Sequence, residues 1–75
     1  MTNTKLVKEC VQEDVVKYFV KREDGIDYLK VNVKKDGTIK KTKYILRGMS
    51  NYEMELEKTR LIRQGYTEQI LPNQM

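Results

Sequence analysis

The sequence predicts an α+β fold: a three-stranded antiparallel β-meander, over about 15–22, 27–35 and 38–46, packed on a C-terminal helix over about 51–64, with a short N-terminal helix over about 5–12. Three observations carry this expectation. Glycines at 25, 37 and 48 punctuate the chain at the interval of short strands joined by turns. Gly25 and Gly37 each follow an aspartate, and Asp-Gly between alternating segments marks a tight hairpin, because both central residues of a type I′ turn need positive φ. After Gly48, the stretch Ser50-Asn51-Tyr52-Glu53 reads as a capping box, so a helix starts there.

At the amino end, Leu6, Val7, Cys10 and Val11 recur at helical spacing, which predicts the helix over 5–12. The meander follows. Two-residue turns at Asp24-Gly25 and Asp36-Gly37 set Val20 opposite Leu29 and Tyr18 opposite Val31 in the first hairpin. In the second they set Val31 opposite Thr42, Lys30 opposite Lys43 and Leu29 opposite Tyr44. Because side chains alternate across a sheet, these registers sort the residues into two faces. Val16, Tyr18, Val20, Leu29, Val31, Val33, Thr42, Tyr44 and Leu46 collect on one, the expected core face. Lys17, Lys21, Lys30, Lys34, Lys41 and Lys43 collect on the other, interleaved with Phe19, Tyr28, Asn32, Ile39 and Ile45.

The C-terminal helix is expected to stop at Gly65 in a left-handed cap, with Tyr66 folding back as its apolar partner. Its acids Glu53, Glu55 and Glu57 come early and its bases Lys58, Arg60 and Arg63 late, in agreement with the helix dipole. Tyr52, Leu56, Thr59 and Ile62 form the side expected to meet the sheet, opposite a polar stripe of Glu53, Glu57, Arg60 and Gln64. Residues 66–75 are read as an edge strand through Tyr66 to Leu71, ended by Pro72, or as a tail. With 75 residues, the chain is expected to form one small domain.

Charge narrows the function classes. The formal net charge of +4 is concentrated in residues 28–48, which hold seven bases and one acid, whereas 1–27 and 49–75 each carry a net charge of −1. The predicted register gathers most of that excess on one sheet face, where Lys30 and Lys43 form a like-charge cross-strand pair that an anionic partner would relieve. Nucleic-acid contacts are accordingly expected at Lys30, Lys34, Lys41 and Lys43, flanked by Lys35, Lys40 and Arg47, with Phe19 and Tyr28 as stacking surfaces. The partner is DNA or RNA, or alternatively an acidic protein surface. In that second reading the chain is a small phage-type inhibitor or adaptor whose anchors are Phe19, Tyr28 and Ile45. Lysine also serves simply to keep an exposed sheet face soluble.

Other chemistry finds little support in the residues. There is no histidine, which removes imidazole triads and the usual zinc sites, and Cys10, the one cysteine, is expected as buried apolar filler. The acid clusters fall at segment ends or in the first turns of the helix, and no phosphate loop or calcium loop is present. The expectation is a non-enzymatic chain without a cofactor. Its longest apolar runs, Tyr18-Phe19-Val20 and Tyr44-Ile45-Leu46, are too short to span a bilayer, and residues 1–10 lack the apolar stretch of a secretory signal. No membrane partner and a cytoplasmic setting follow as expectations.

The order helix, three strands, helix resembles the double-stranded RNA-binding domain over roughly residues 5–65. Where that family carries Gly-x-Ser and then paired lysines, this chain reads Gly48-Met49-Ser50-Asn51-Tyr52-Glu53-Met54-Glu55, and the family's histidine in its first strand loop is missing. Its RNA-binding residues are therefore not carried over. A three-stranded sheet backed by a helix is also similar in layout to the arm-binding domains of phage and transposon integrases, which lay a sheet face in the major groove.

Overall fold

The computed structural model describes residues 3–70. It is mostly β: strands β1 (Thr4–Glu9), β2 (Glu13–Arg22), β3 (Gly25–Lys34) and β4 (Ile39–Met49), one helix α1 (Asn51–Arg63), and a last strand β5 (Thr67–Ile70). All pairings are antiparallel, and the five strands lie in the order β4-β3-β2-β1-β5. This corrects the predicted fold in two respects: the sheet has five strands rather than three, and residues 5–12 form no helix.

The N-terminal segment is a strand because periodicity over so few residues cannot separate helix from strand, while pairing can. Laid along β2, with Thr4 opposite Phe19 and Glu9 opposite Asp14, it satisfies a ten-residue edge that would otherwise be open. Leu6 then enters the core with no exposed surface, whereas Val11 is 94% exposed and Cys10 lies exposed in the turn, not buried as expected. β5 pairs on the far side of β1, Thr4 opposite Ile70 and Val7 opposite Thr67. The part of the tail expectation that concerns residues 71–75 lies outside the described residues.

Neither hairpin has the predicted two-residue Asp-Gly turn. Among the described residues no non-glycine takes positive φ, so the first reversal uses Glu23-Asp24 and leaves the positive φ, +141°, to Gly25 as the first residue of β3. Tyr18 consequently stands opposite Leu29 and Phe19 opposite Tyr28. The slip relative to the predicted register is two residues, and an even slip leaves every side chain on its assigned face. The second reversal is wider, spanning Lys35–Thr38, yet Asn32 still meets Lys41, Lys30 still meets Lys43 and Leu29 still meets Tyr44. Lys40 and Ile45 are extra residues in β4, a third irregularity falls between Leu46 and Met49, and each shifts the ladder by one, so that Ile39 stands opposite Val33 and Leu46 opposite Tyr28, on the faces opposite to those predicted. Gly25 also permits a close approach: a Cβ there would lie 2.7 Å from the Cα of Gly48.

The helix is fastened at both ends by local bonds. Ser50 Oγ accepts from the Glu53 amide at 3.1 Å while the Glu53 carboxylate accepts from the Ser50 amide at 3.1 Å. At the other end, Tyr66 N–H donates to the Leu61 carbonyl and Gly65 N–H to that of Ile62, the paired bonds of a Schellman motif with Gly65 at φ +100°.

α1 packs on the face that carries the lysines, which is the principal correction. The core consists of Leu6, Phe19, Ile26, Tyr28, Met49, Met54 and Leu61, with Tyr66 packed against it. Phe19 and Tyr28 stack at 4.6 Å between centroids, and Tyr28 Oη donates to Glu57 at 2.7 Å, pinning helix to sheet. The helix turns Met54, Glu57, Lys58 and Leu61 inward and leaves Tyr52, Leu56 and Ile62 outside, 74%, 55% and 50% exposed, the reverse of the expected orientation. The short connection decides this. Met49 is itself buried and only Ser50 separates it from α1, so the phase of the helix follows from where β4 ends. Lys58 is tolerated inside because its stem lies against the sheet while its ammonium reaches Glu68 at 3.1 Å and Glu55 at 3.5 Å.

Candidate functional site

The lysine face divides along the strands, not across them. Toward the Glu23-Asp24 hairpin it bears Phe19, Ile26, Tyr28 and Met49 with Lys21 exposed at the end of β2, and toward the Lys35–Thr38 loop it bears Lys17, Lys30, Lys34, Lys41 and Lys43. α1 starts beside Met49, touches β3 and β1, and ends near β1, where a Cβ on Gly65 would lie 3.9 Å from the Lys8 side chain. It thus crosses the face obliquely, covering the apolar half and leaving open the lower part of β3 and β4.

In that open part the ladder sets three ammonium groups in a row, Lys17 opposite Lys30 and Lys30 opposite Lys43. Each like-charge pair costs up to about 1 kcal/mol when nothing screens it. Lys41 is the next lysine along β4 on the same face, opposite Asn32. The inner end of the row is the most strained electrostatically: partial burial and then the charge of Lys30 push the Lys17 ammonium below its ordinary pKa, against a smaller opposing pull from Glu57. Glu57 is already occupied, since Arg60 holds it through a two-pronged contact at 3.0 and 2.7 Å and Tyr28 donates to it. Arg60 first, then Tyr28, holds its carboxyl below the ordinary value of 4.5.

The structure separates the seven expected nucleic-acid contacts into groups. Lys35 bonds Asp14 at 2.7 Å and Lys40 bonds Glu13 at 2.9 Å, so these two cations are neutralised by the start of β2. Asn32 also donates to Glu13, and the bonds from Lys40 and Asn32 lower the Glu13 pKa. Arg47 stacks over Tyr44 at 4.2 Å, away from the row. Lys30, Lys34, Lys41 and Lys43 enter no ion pair among the described residues; Lys30 is half-buried and the other three are exposed. Phe19 and Tyr28, expected at the surface, are 0% and 3% exposed beneath the helix, which leaves neither ring available to a base or a partner. Ile45 is 43% exposed.

Lys17 is the member that sequence reasoning left out of the contact set. Its signal was available, since it lies among the lysines of the same face, but its place in the row depends on the Glu23-Asp24 turn. Among the described residues no group of three or more histidine, cysteine, aspartate or glutamate side chains is arranged to hold a metal ion. Among the same residues no helix is long and apolar enough to cross a membrane.

No protein-family model, curated protein or solved structure matches the chain. What the lysine row can do follows from its own chemistry: it presents point charges in excess of the neighbouring acids, Glu13 opposite Lys34 being held by Lys40 and Asn32 and Glu57 by Arg60, and is suited to oxyanions spaced along a polymer.

Proposed function

We propose that the chain is a non-enzymatic nucleic-acid-binding accessory protein that holds a phosphate backbone on Lys30, Lys34, Lys41 and Lys43, with Lys17 at the inner end of the row. The observation that carries this reading is the Lys17–Lys30–Lys43 ladder, a repulsive arrangement in a chain that has acids to spare elsewhere. A polyanion relieves that repulsion and gains counterion release. Lysine is a flexible point charge that discriminates base edges poorly, and the nearby Asn32 amide is tied to Glu13, so binding is expected to be weakly selective among sequences. A cytoplasmic setting belongs to the same proposal, because nucleic acid is the partner. An acidic protein surface is the second partner that the same lysines suit, but with Phe19 and Tyr28 covered it has fewer apolar anchors.

Fluorescence anisotropy with labelled duplex and single-stranded oligonucleotides tests the reading. With four phosphates neutralised, log affinity on duplex DNA is expected to fall against log salt with a slope of about −3.6. The double variant Lys30→Glu, Lys43→Glu is expected to abolish binding, while Lys35→Gln leaves it nearly unchanged. Salt-independent affinity, or retained binding by the double variant, defeats the proposal.

A further inference from the structure

Among the described residues no helix or strand covers the sheet face away from α1. Tyr18, Val20, Leu29, Val31, Val33 and Ile39 line a shallow apolar groove of about 360 Å³ there, and Tyr44 beside it is 48% exposed. Val16 and Val31 stand opposite each other on this face, each 5% exposed. This is the face the sequence marked as core, and its composition suits burial rather than water. We propose that it is the interface of a homodimer, in which a second copy of the chain lays the same open face against it about a two-fold axis.

Charge selects this occupant. The chain as a whole is +4, yet the open face carries little of that excess: Asp14 is bridged to Lys35, Asp27 to Arg22, Lys5 and Glu9 of β1 offset each other, and Arg47 over Tyr44 is left as the one cation in surplus among the described residues. A polyanion gains far less here than on the lysine row. Two cationic copies approach each other most readily where the charge is least, and this face supplies such a place. The lysine rows then lie on opposite outer surfaces of the dimer, as far apart as the sandwich allows.

Area agrees. A face five strands wide at about 4.8 Å each and about eight residues long at about 3.3 Å projects about 600 Å², before side-chain relief is added. A standard stable interface takes about 800 Å² from each partner. Packing of two such faces is the ordinary arrangement of a β-sandwich, with the sheets about 10 Å apart. The need is also clear on the monomer side, where the core under α1 comprises few residues and small domains commonly gain stability by association.

Sedimentation equilibrium on the full chain without nucleic acid, from about 1 µM to about 1 mM, is the test, and it is independent of the nucleic-acid reading. The expected result is a concentration-dependent mass that reaches twice the monomer value. Leu29→Glu, at the centre of the groove, is expected to weaken association by about thirtyfold or more. Ile39→Glu, at a position 64% exposed in the monomer and therefore harmless to its folding, is expected to weaken it at least about tenfold with an unchanged circular dichroism spectrum. Ile62→Glu on the outer side of α1 is expected to leave it intact. A chain that stays monomeric throughout the range overturns the proposal, as does a dimer that tolerates Ile39→Glu or is lost with Ile62→Glu.

Discussion

The two faces of one sheet have opposite relations to composition. The face beneath α1 is a mixture in which Phe19, Ile26 and Tyr28 share the ladder with lysines, whereas the centre of the open face is a run of valine, leucine and tyrosine with its charged residues toward the ends of β2 and β3 and on β1. Yet the mixed face carries the core. The difference lies in side-chain reach. Val16 and Val31 are short and β-branched, and each is 5% exposed on the open face. Phe19 and Tyr28 project further from the sheet, and only a second layer can cover them. Mean hydropathy is thus a poor guide to which side of a small sheet receives its helix. The position of the largest side chains and the length of the last connection decide it.

The largest expected effect breaks this comparison directly. Phe19→Ala removes a ring with no exposed surface and its stacking partner's contact, and is expected to cost about 3–5 kcal/mol. Tyr18→Ala, one residue away on the open face, is expected to cost about 1 kcal/mol when urea unfolding is followed at low protein concentration. Equal losses would mean that both faces carry a core.

An intermediate effect sharpens it at the hairpin that delivers Ile26 and Tyr28 to α1. Gly25→Ala forces a methyl to 2.7 Å from the Gly48 backbone at φ +141° and is expected to cost about 2–3 kcal/mol. Gly37→Ala, at φ +93° with open space around it, is expected to cost only the backbone term, about 1–2 kcal/mol. Thermal unfolding of both variants separates the clash from the conformation.

The smallest effect concerns the pin between the layers. Arg60 and Tyr28 hold the Glu57 carboxyl below 4.5 in the folded chain, so the unfolded chain binds its proton more readily. The stability this contributes is fully present above 4.5 and is lost as pH falls through the lower, folded value. Unfolding measured between neutrality and acid is expected to show that decline in the parent chain. Glu57→Gln is expected to flatten this part of the profile, and an unchanged acid slope would show that the pin contributes nothing.

Much of this molecule could be read locally. Ser50 and Glu53 mark the helix start, Gly65 and Tyr66 mark its end, and Lys30 stands opposite Lys43 because a few residues of chain connect them. Such features depend on hydrogen bonds and turns between near neighbours, and those are written in the order of residues. The concentration of positive charge in 28–48 is of the same kind.

The remainder depended on contacts between distant parts. Residues 5–12 resembled a helix until the unpaired edge of β2 was there to accept a strand, and β5 had no partner until β1 supplied one. The side of the sheet that α1 covers was undetermined until β4, with its extra residues at Lys40 and Ile45, ended at a buried Met49. Sequence by itself determined the helix, the three central strands and the sorting of most of their side chains into two faces, Ile39 and Leu46 excepted. Only the tertiary structure decided which face was closed, because burial rewards the arrangement of the whole chain and no single segment contains that information.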